Sequence, residues 1–126
     1  MKSLLATIAA LAVVLSLPVA ASAGPVDDED VRVRKACSRG SEATLRVRAD
    51  DGVLRVELRV DPRRRGGRWS VVLLHERRIV YRGRLAPSGG GSVRLRRNVP
   101  DLFGRDAVTA RASGPLRETC RLTATI

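Results

Sequence analysis

From residue 44 onward the chain alternates apolar and polar positions with a period of two. Leu45, Val47 and Ala49 are interleaved with Arg46 and Arg48. Leu54, Val56, Leu58 and Val60 are interleaved with Arg55, Glu57 and Arg59. The same alternation recurs at Val93 and Leu95, at Val108, Ala110 and Ala112, and at Cys120, Leu122, Ala124 and Ile126. An extended chain points successive side chains to opposite faces, so each run reads as a strand with one buried face. No window sustains helical spacing. Asp50-Asp51-Gly52, the Asp61–Gly67 loop, the Pro87–Ser92 loop and Ser113-Gly114-Pro115 supply the turns between runs. The pattern predicts strands over about 44–49, 53–60, 68–75, 79–85, 92–99, 107–113 and 119–126. Seven short strands with frequent turns predict an all-β, immunoglobulin-like two-sheet sandwich, with a small barrel as the other arrangement.

The third and fourth runs are apolar on both faces. With Glu76-Arg77 as the turn, His75 opposes Arg78, Leu74 opposes Ile79 and Val72 opposes Tyr81. One face then carries Trp69, Val71, Leu73 and Val80, and is expected inside. The other carries Val72, Leu74, Ile79 and Tyr81, a candidate surface for a protein partner.

The N-terminus reads as an export signal. Lys2 precedes the apolar run Leu4–Leu17, and Pro18 with Ala21-Ser22-Ala23 forms a small-residue cleavage pattern, so residues 1–23 are expected to be removed between Ala23 and Gly24. The run is shorter than the roughly 20 residues a membrane-crossing helix needs. Residues 24–36 read as an acidic tail and linker (Asp27, Asp28, Glu29, Asp30), and residues 37–126 as a single domain. A secreted location makes the only two cysteines, Cys37 and Cys120, a disulfide pair. Cys37 precedes the first predicted strand and Cys120 opens the last. A bond between them is expected to hold those two strands parallel and side by side at one end of the sandwich.

Charge narrows the partner. The formal net charge is +11, and every basic residue except Lys2 and Lys35 is arginine. Such a balance suits an anionic polymer or an envelope surface: wall teichoic acid, a sulfated or acidic polysaccharide, nucleic acid or an anionic membrane face. Arginine over lysine is also what a high-GC genome writes at solvated positions. The densest cluster, Arg63, Arg64, Arg65 and Arg68 around Gly66-Gly67, can fork guanidinium groups onto phosphate or sulfate, and Arg55, Arg59, Arg94 and Arg96 extend it along strand faces. With Trp69, Tyr81 and Phe103 the only aromatics, base stacking is poorly supplied and sequence-specific nucleic-acid reading is not expected. His75 stands alone. No nucleophile motif, paired-carboxylate motif or phosphate loop accompanies it, so no catalytic residue is assigned and no enzyme is expected. One histidine and no CxxC give no expectation of a metal or cofactor. The expected role is a non-enzymatic binding module at the cell envelope, through the arginine loop or, alternatively, as an inhibitor or accessory subunit through the Val72 face.

Residues 36–126 resemble a family of small, largely uncharacterised exported proteins of high-GC Gram-positive bacteria. The resemblance is carried by Ala36-Cys37-Ser38-x-Gly40-Ser41, by Val56-Glu57-x-x-Val60-Asp61, and by Gly67-x-Trp69 with Val71, Val72 and Leu73. His75, Arg82-Gly83 and Glu118-Thr119-Cys120 complete it. It implies export, the disulfide and an all-β domain, and it brings no catalytic residue and no ligand.

Overall fold

The computed structural model describes residues 29–126; the expected export signal and cleavage point, and the expected tail through residue 28, lie outside the described residues. Eight strands follow in order: β1 (Asp30–Ala36), β2 (Glu42–Asp50), β3 (Val53–Asp61), β4 (Trp69–His75), β5 (Arg78–Leu85), β6 (Val93–Pro100), β7 (Ala107–Ser113) and β8 (Thr119–Thr125). They form two antiparallel four-stranded sheets, β1-β2-β3-β6 and β5-β4-β7-β8. This is the all-β two-sheet sandwich that the alternation predicts. The strand count is corrected from seven to eight. Asp30–Ala36, read from sequence as linker, pairs along its length with β2 and packs Val31 and Val33 against the core.

The alternating residues fill the interior as their period requires. Leu45, Val47, Leu54, Val56, Leu58 and Val60 of the first sheet face Trp69, Val71, Leu73, Val108, Ala110 and Leu122 of the second, all essentially buried. Asp51-Gly52 closes the β2–β3 hairpin with both residues at positive φ (48° and 75°), the primed turn whose twist suits adjoining strands.

The β4–β5 hairpin departs from the expected register. His75 pairs with Arg78 and Leu74 with Ile79. A bulge then skips Val80, so Leu73 pairs with Tyr81 and Val72 with Arg82. One extra residue reverses the faces beyond it. Tyr81 therefore turns inward and packs on the core, whereas Val80, expected inside, is 39 % exposed. The Tyr81 ring covers Gly83, two residues along the same strand, and Arg97 of β6 lies over that ring at 4.7 Å from its centroid. This contact closes the side of the sandwich where edge strands β5 and β6 meet.

The disulfide closes the opposite side. Cys37 follows β1 and Cys120 lies in β8, so the bond joins one sheet to the other, and both cysteines are buried. The expected parallel neighbours do not occur: β2 sits between β1 and β3, and β8 pairs only with β7.

Trp69 is the largest buried side chain, and Gly114 is cut to fit it. A Cβ on Gly114 would stand 2.5 Å from the indole Cε2 and Cζ2 atoms. The indole is packed on all sides and cannot yield easily, so Gly114→Ala is expected to cost about 2 kcal/mol by overpacking. Denaturant titration reads this as a lower midpoint with an unchanged slope. A midpoint equal to that of the parent would show that the ring has room to move.

Candidate anion-binding face and buried carboxylate sites

On the outer face of the first sheet the strand register sets arginines in rows. One row runs Arg32, Arg46, Glu57, Arg96; the next runs Arg34, Thr44, Arg59, Arg94; and on the other side Arg48 stands opposite Arg55. Residues two apart along a strand repeat at about 6.8 Å and neighbouring strands lie about 4.8 Å apart, so the guanidinium groups form a lattice. Two shallow grooves cross it. One, of about 340 Å³, is lined by Arg32, Arg34, Arg46, Arg59, Arg94 and Arg96 among others; the second, of about 200 Å³, lies between Arg46, Arg48, Arg55 and Arg96.

Acidic side chains offset part of this charge. Asp30 pairs with Arg46 (2.6 Å), Glu42 with Arg34 (3.0 Å), Asp50 with Arg55 (3.0 Å), Glu57 with Arg96 (3.2 Å) and Asp61 with Arg59 (2.9 Å). The hydrogen bond from Arg46 holds the Asp30 carboxyl below its ordinary value. Arg32, Arg48 and Arg94 make no direct ion pair among the described residues, although Arg48 stands opposite Asp30 and the charge of Arg94 reaches Asp61; on another side each opposes an arginine across the ladder, Arg32 with Arg46, Arg48 with Arg55 and Arg94 with Arg59. Like charges directly opposite one another destabilise a sheet.

The loop arginines separate into different settings. Arg63 is pinned: its N–H donates to Ser41 Oγ (2.9 Å), and its side chain lies over Gly40. Arg64 and Arg65 line a small cleft of about 130 Å³ with Arg39, Trp69, Pro115 and Leu116, over the buried Glu118. Arg68 is exposed just before β4 and is not part of that cleft. Arg55, Arg59, Arg94 and Arg96 do share one face. Arg32, Arg34, Arg46 and Arg48 complete it and were missed, because β1 was not counted as a strand and nothing local says which strands are neighbours.

The Val72 surface does not assemble as expected. Val72 and Leu74 are half-buried on the outer face of the second sheet, with Ile79 beside Leu74, but the bulge turns Tyr81 to the interior. In the Val72 row, Arg82 stands on one side and Arg111, then Arg121, on the other. The four side chains therefore do not share one face.

Two buried polar clusters were not read from the sequence. In the first, the Glu118 carboxylate accepts the N–H groups of Arg39 (2.9 Å) and Ser41 (3.0 Å) and the Ser41 hydroxyl. Ser38 N–H donates to the Thr119 carbonyl, and Thr119 N–H to Ser38 Oγ, both at 3.0 Å. The Cys37–Ser41 turn and the Glu118–Cys120 segment thus form one knot around the disulfide. Burial pushes the Glu118 carboxyl up, but the hydrogen bonds from Ser41 and Arg39 outweigh it and hold the group below its ordinary value.

In the second cluster, His75 Nε2 lies 2.8 Å from Asp106 Oδ1, with both side chains buried. Asp106 also accepts the Leu102 N–H at 3.3 Å. Glu76, in the adjoining turn, has φ 50° and is held there by two bonds: its N–H donates to the Ala107 carbonyl (3.0 Å), and its Oε1 accepts the Ala107 N–H (2.6 Å). Asp106 Oδ2 is buried and receives no N–H or hydroxyl hydrogen among the described residues. The neighbouring Asp106 carboxyl pushes the Asp101 carboxyl above its ordinary value.

Comparison of the chain with protein-family models, with curated proteins and with solved structures found no match. Among the described residues no helix is long and apolar enough to cross a membrane.

Proposed function

We propose that this chain is an exported, non-enzymatic module that holds a linear polyanion of the cell envelope against the arginine face of the first sheet. The observation that carries the reading is the placing of Arg32, Arg48 and Arg94 directly opposite other arginines, with no direct ion pair to an acid among the described residues. That arrangement costs folding free energy in the free protein, and anionic groups laid between the side chains would relieve it. Further support comes from the two grooves, which follow the rows, and from the Arg63–Arg68 loop, which leaves β3 just beyond the Arg34–Arg59–Arg94 row. The partner this chemistry suits is a phosphate- or sulfate-bearing chain with regularly spaced charges. Recognition is by charge spacing and guanidinium geometry, and no step of bond making or breaking is involved.

Retention of the oxidised protein on immobilised polyphosphate, followed across a salt series, tests this. Retention should fall steeply with salt, because counterion release dominates such binding. Arg32→Ser/Arg48→Ser/Arg94→Ser should lower the salt slope by about 2, three contacts at roughly 0.7 each. Arg63→Ser/Arg64→Ser/Arg65→Ser should lower it less, since none of the three lines either groove. Equal retention of the face variant and the parent would overturn the assignment to this sheet, and absence of retention at low salt would overturn the polyanion reading itself.

A further inference from the structure

We propose that His75, Glu76 and Asp106 form a binding site for a divalent cation of the zinc or manganese class. The site lies at the end of the sandwich where the β4–β5 turn meets the start of β7. It is independent of the arginine face.

The geometry is assembled from three sequence-distant pieces. His75 is the last residue of β4 and points inward, Glu76 opens the turn, and Asp106 immediately precedes β7. One ligand atom from each lies within 4.8 Å of the other two. Adjacent ligands on an ion with bonds of about 2.1 Å stand roughly 3.0–3.4 Å apart, so the 2.8 Å between His75 Nε2 and Asp106 Oδ1 has to open by only a few tenths of an ångström.

A second observation points to a ligand. Asp106 is only 1 % exposed, it is directed into the cluster, and its Oδ2 has no N–H or hydroxyl partner among the described residues. A buried carboxylate oxygen in that condition is costly, and a cation is the group that satisfies two carboxylates and an imidazole together. The backbone already holds the ligands in place. Asp106 and Ile126 exchange both of their backbone hydrogen bonds, at 2.8 and 2.9 Å, and Glu76 is clamped to Ala107 at both its N–H and its carboxylate. The exposed Glu76 leaves a path from solvent.

The donor set selects the ion. One imidazole nitrogen with carboxylate oxygens and no thiolate suits zinc or manganese, whereas calcium prefers six to eight oxygens. To ligate, the neutral imidazole moves its one proton from Nε2 to Nδ1, which frees the Nε2 lone pair for the cation, and the Glu76 and Asp106 carboxylates balance the double charge.

Calorimetric titration of the chelator-treated, oxidised protein with ZnCl2, and separately with MnCl2, tests the site, with thermal unfolding in parallel. One ion should bind per chain and raise the unfolding temperature. Glu76→Gln keeps an oxygen for the Ala107 N–H while removing the charge, and should weaken binding at least tenfold in a folded protein. Asp106→Asn should abolish it. Absence of binding at millimolar concentrations of both ions overturns the proposal. So does binding of equal affinity in the parent and in Glu76→Gln, the variant that decides the matter should Asp106→Asn fail to fold.

Discussion

Replacing both cysteines, Cys37→Ser with Cys120→Ser, is expected to remove about 4 kcal/mol of folding stability. The bond spans a sequence separation of 83 residues, and in the chain-entropy account a loop of that size restricts the unfolded ensemble by roughly 4.5 kcal/mol. The folded state loses little else at that point. The Ser38–Thr119 and Ser41–Glu118 hydrogen bonds still hold the turn after β1 to the start of β8. For a domain whose whole net stability is of order 5–15 kcal/mol, this loss is a large share of the total. It corresponds to a fall in unfolding temperature of roughly 15–30 °C at this size. The check is denaturant unfolding of the oxidised protein beside the double-serine variant. The double variant avoids the free thiol that either single substitution would leave. A stability difference below about 1 kcal/mol would mean that the unfolded chain is already constrained at these positions, and the entropic account would not hold here.

The alternation of Leu54, Val56, Leu58 and Val60 with charged residues made β3 legible, as similar runs did for β2, β6, β7 and β8. Each strand's inner face is written locally, in its own two-residue period. β4 and β5 were recognised as strands, but their faces were harder to assign. Residues 69–74 are almost continuously apolar, so only the register could decide, and a one-residue bulge at Val80 decided it against the expected pairing of Val72 with Tyr81. β1 was missed because it offers only Val31 and Val33 to the core, after a run of acids that reads as solvated tail. The disulfide followed from cysteine count and export. Its path between the sheets did not, because strand order is a tertiary property. The candidate sites suffered most from the same limit. Ser41 and Glu118 are 77 residues apart, and His75 and Asp106 are 31 apart. The arginine face depends on β1, β2, β3 and β6 being neighbours. Alternation says which side of a strand a residue occupies, and nothing in a single strand says which strand lies beside it.

The Glu118 carboxylate is expected to make this sandwich acid-sensitive, and its removal to cost about 3–4 kcal/mol. It is buried, and it accepts hydrogen from three donors, the Arg39 and Ser41 N–H groups and the Ser41 hydroxyl. Glu118→Ala leaves all three without that acceptor, and each donor that stays buried and unsatisfied costs roughly 1–3 kcal/mol before the turn relaxes. Glu118→Gln preserves the shape and one acceptor oxygen but sets an amide NH2 against donors, so an intermediate loss of about 2 kcal/mol is expected. The direction of the pH dependence follows from the sign of the shift. The folded-state pKa lies below the ordinary carboxylate value of 4.5, because hydrogen bonds to the ionised form outweigh its desolvation. The unfolded chain therefore takes up protons first as pH falls. The stabilisation is complete above about pH 4.5 and is lost as pH drops through the folded-state pKa. Unfolding free energy measured from neutral pH into the acid should decline below that value in the parent and decline less in Glu118→Gln, which has no proton to take up at this position. The exposed Asp30, also held low by Arg46, belongs to both proteins and cancels in the comparison. Parallel acid profiles for the two would mean that the Glu118 hydrogen bonds do not favour the ionised form, and that the knot is held by the disulfide and backbone alone.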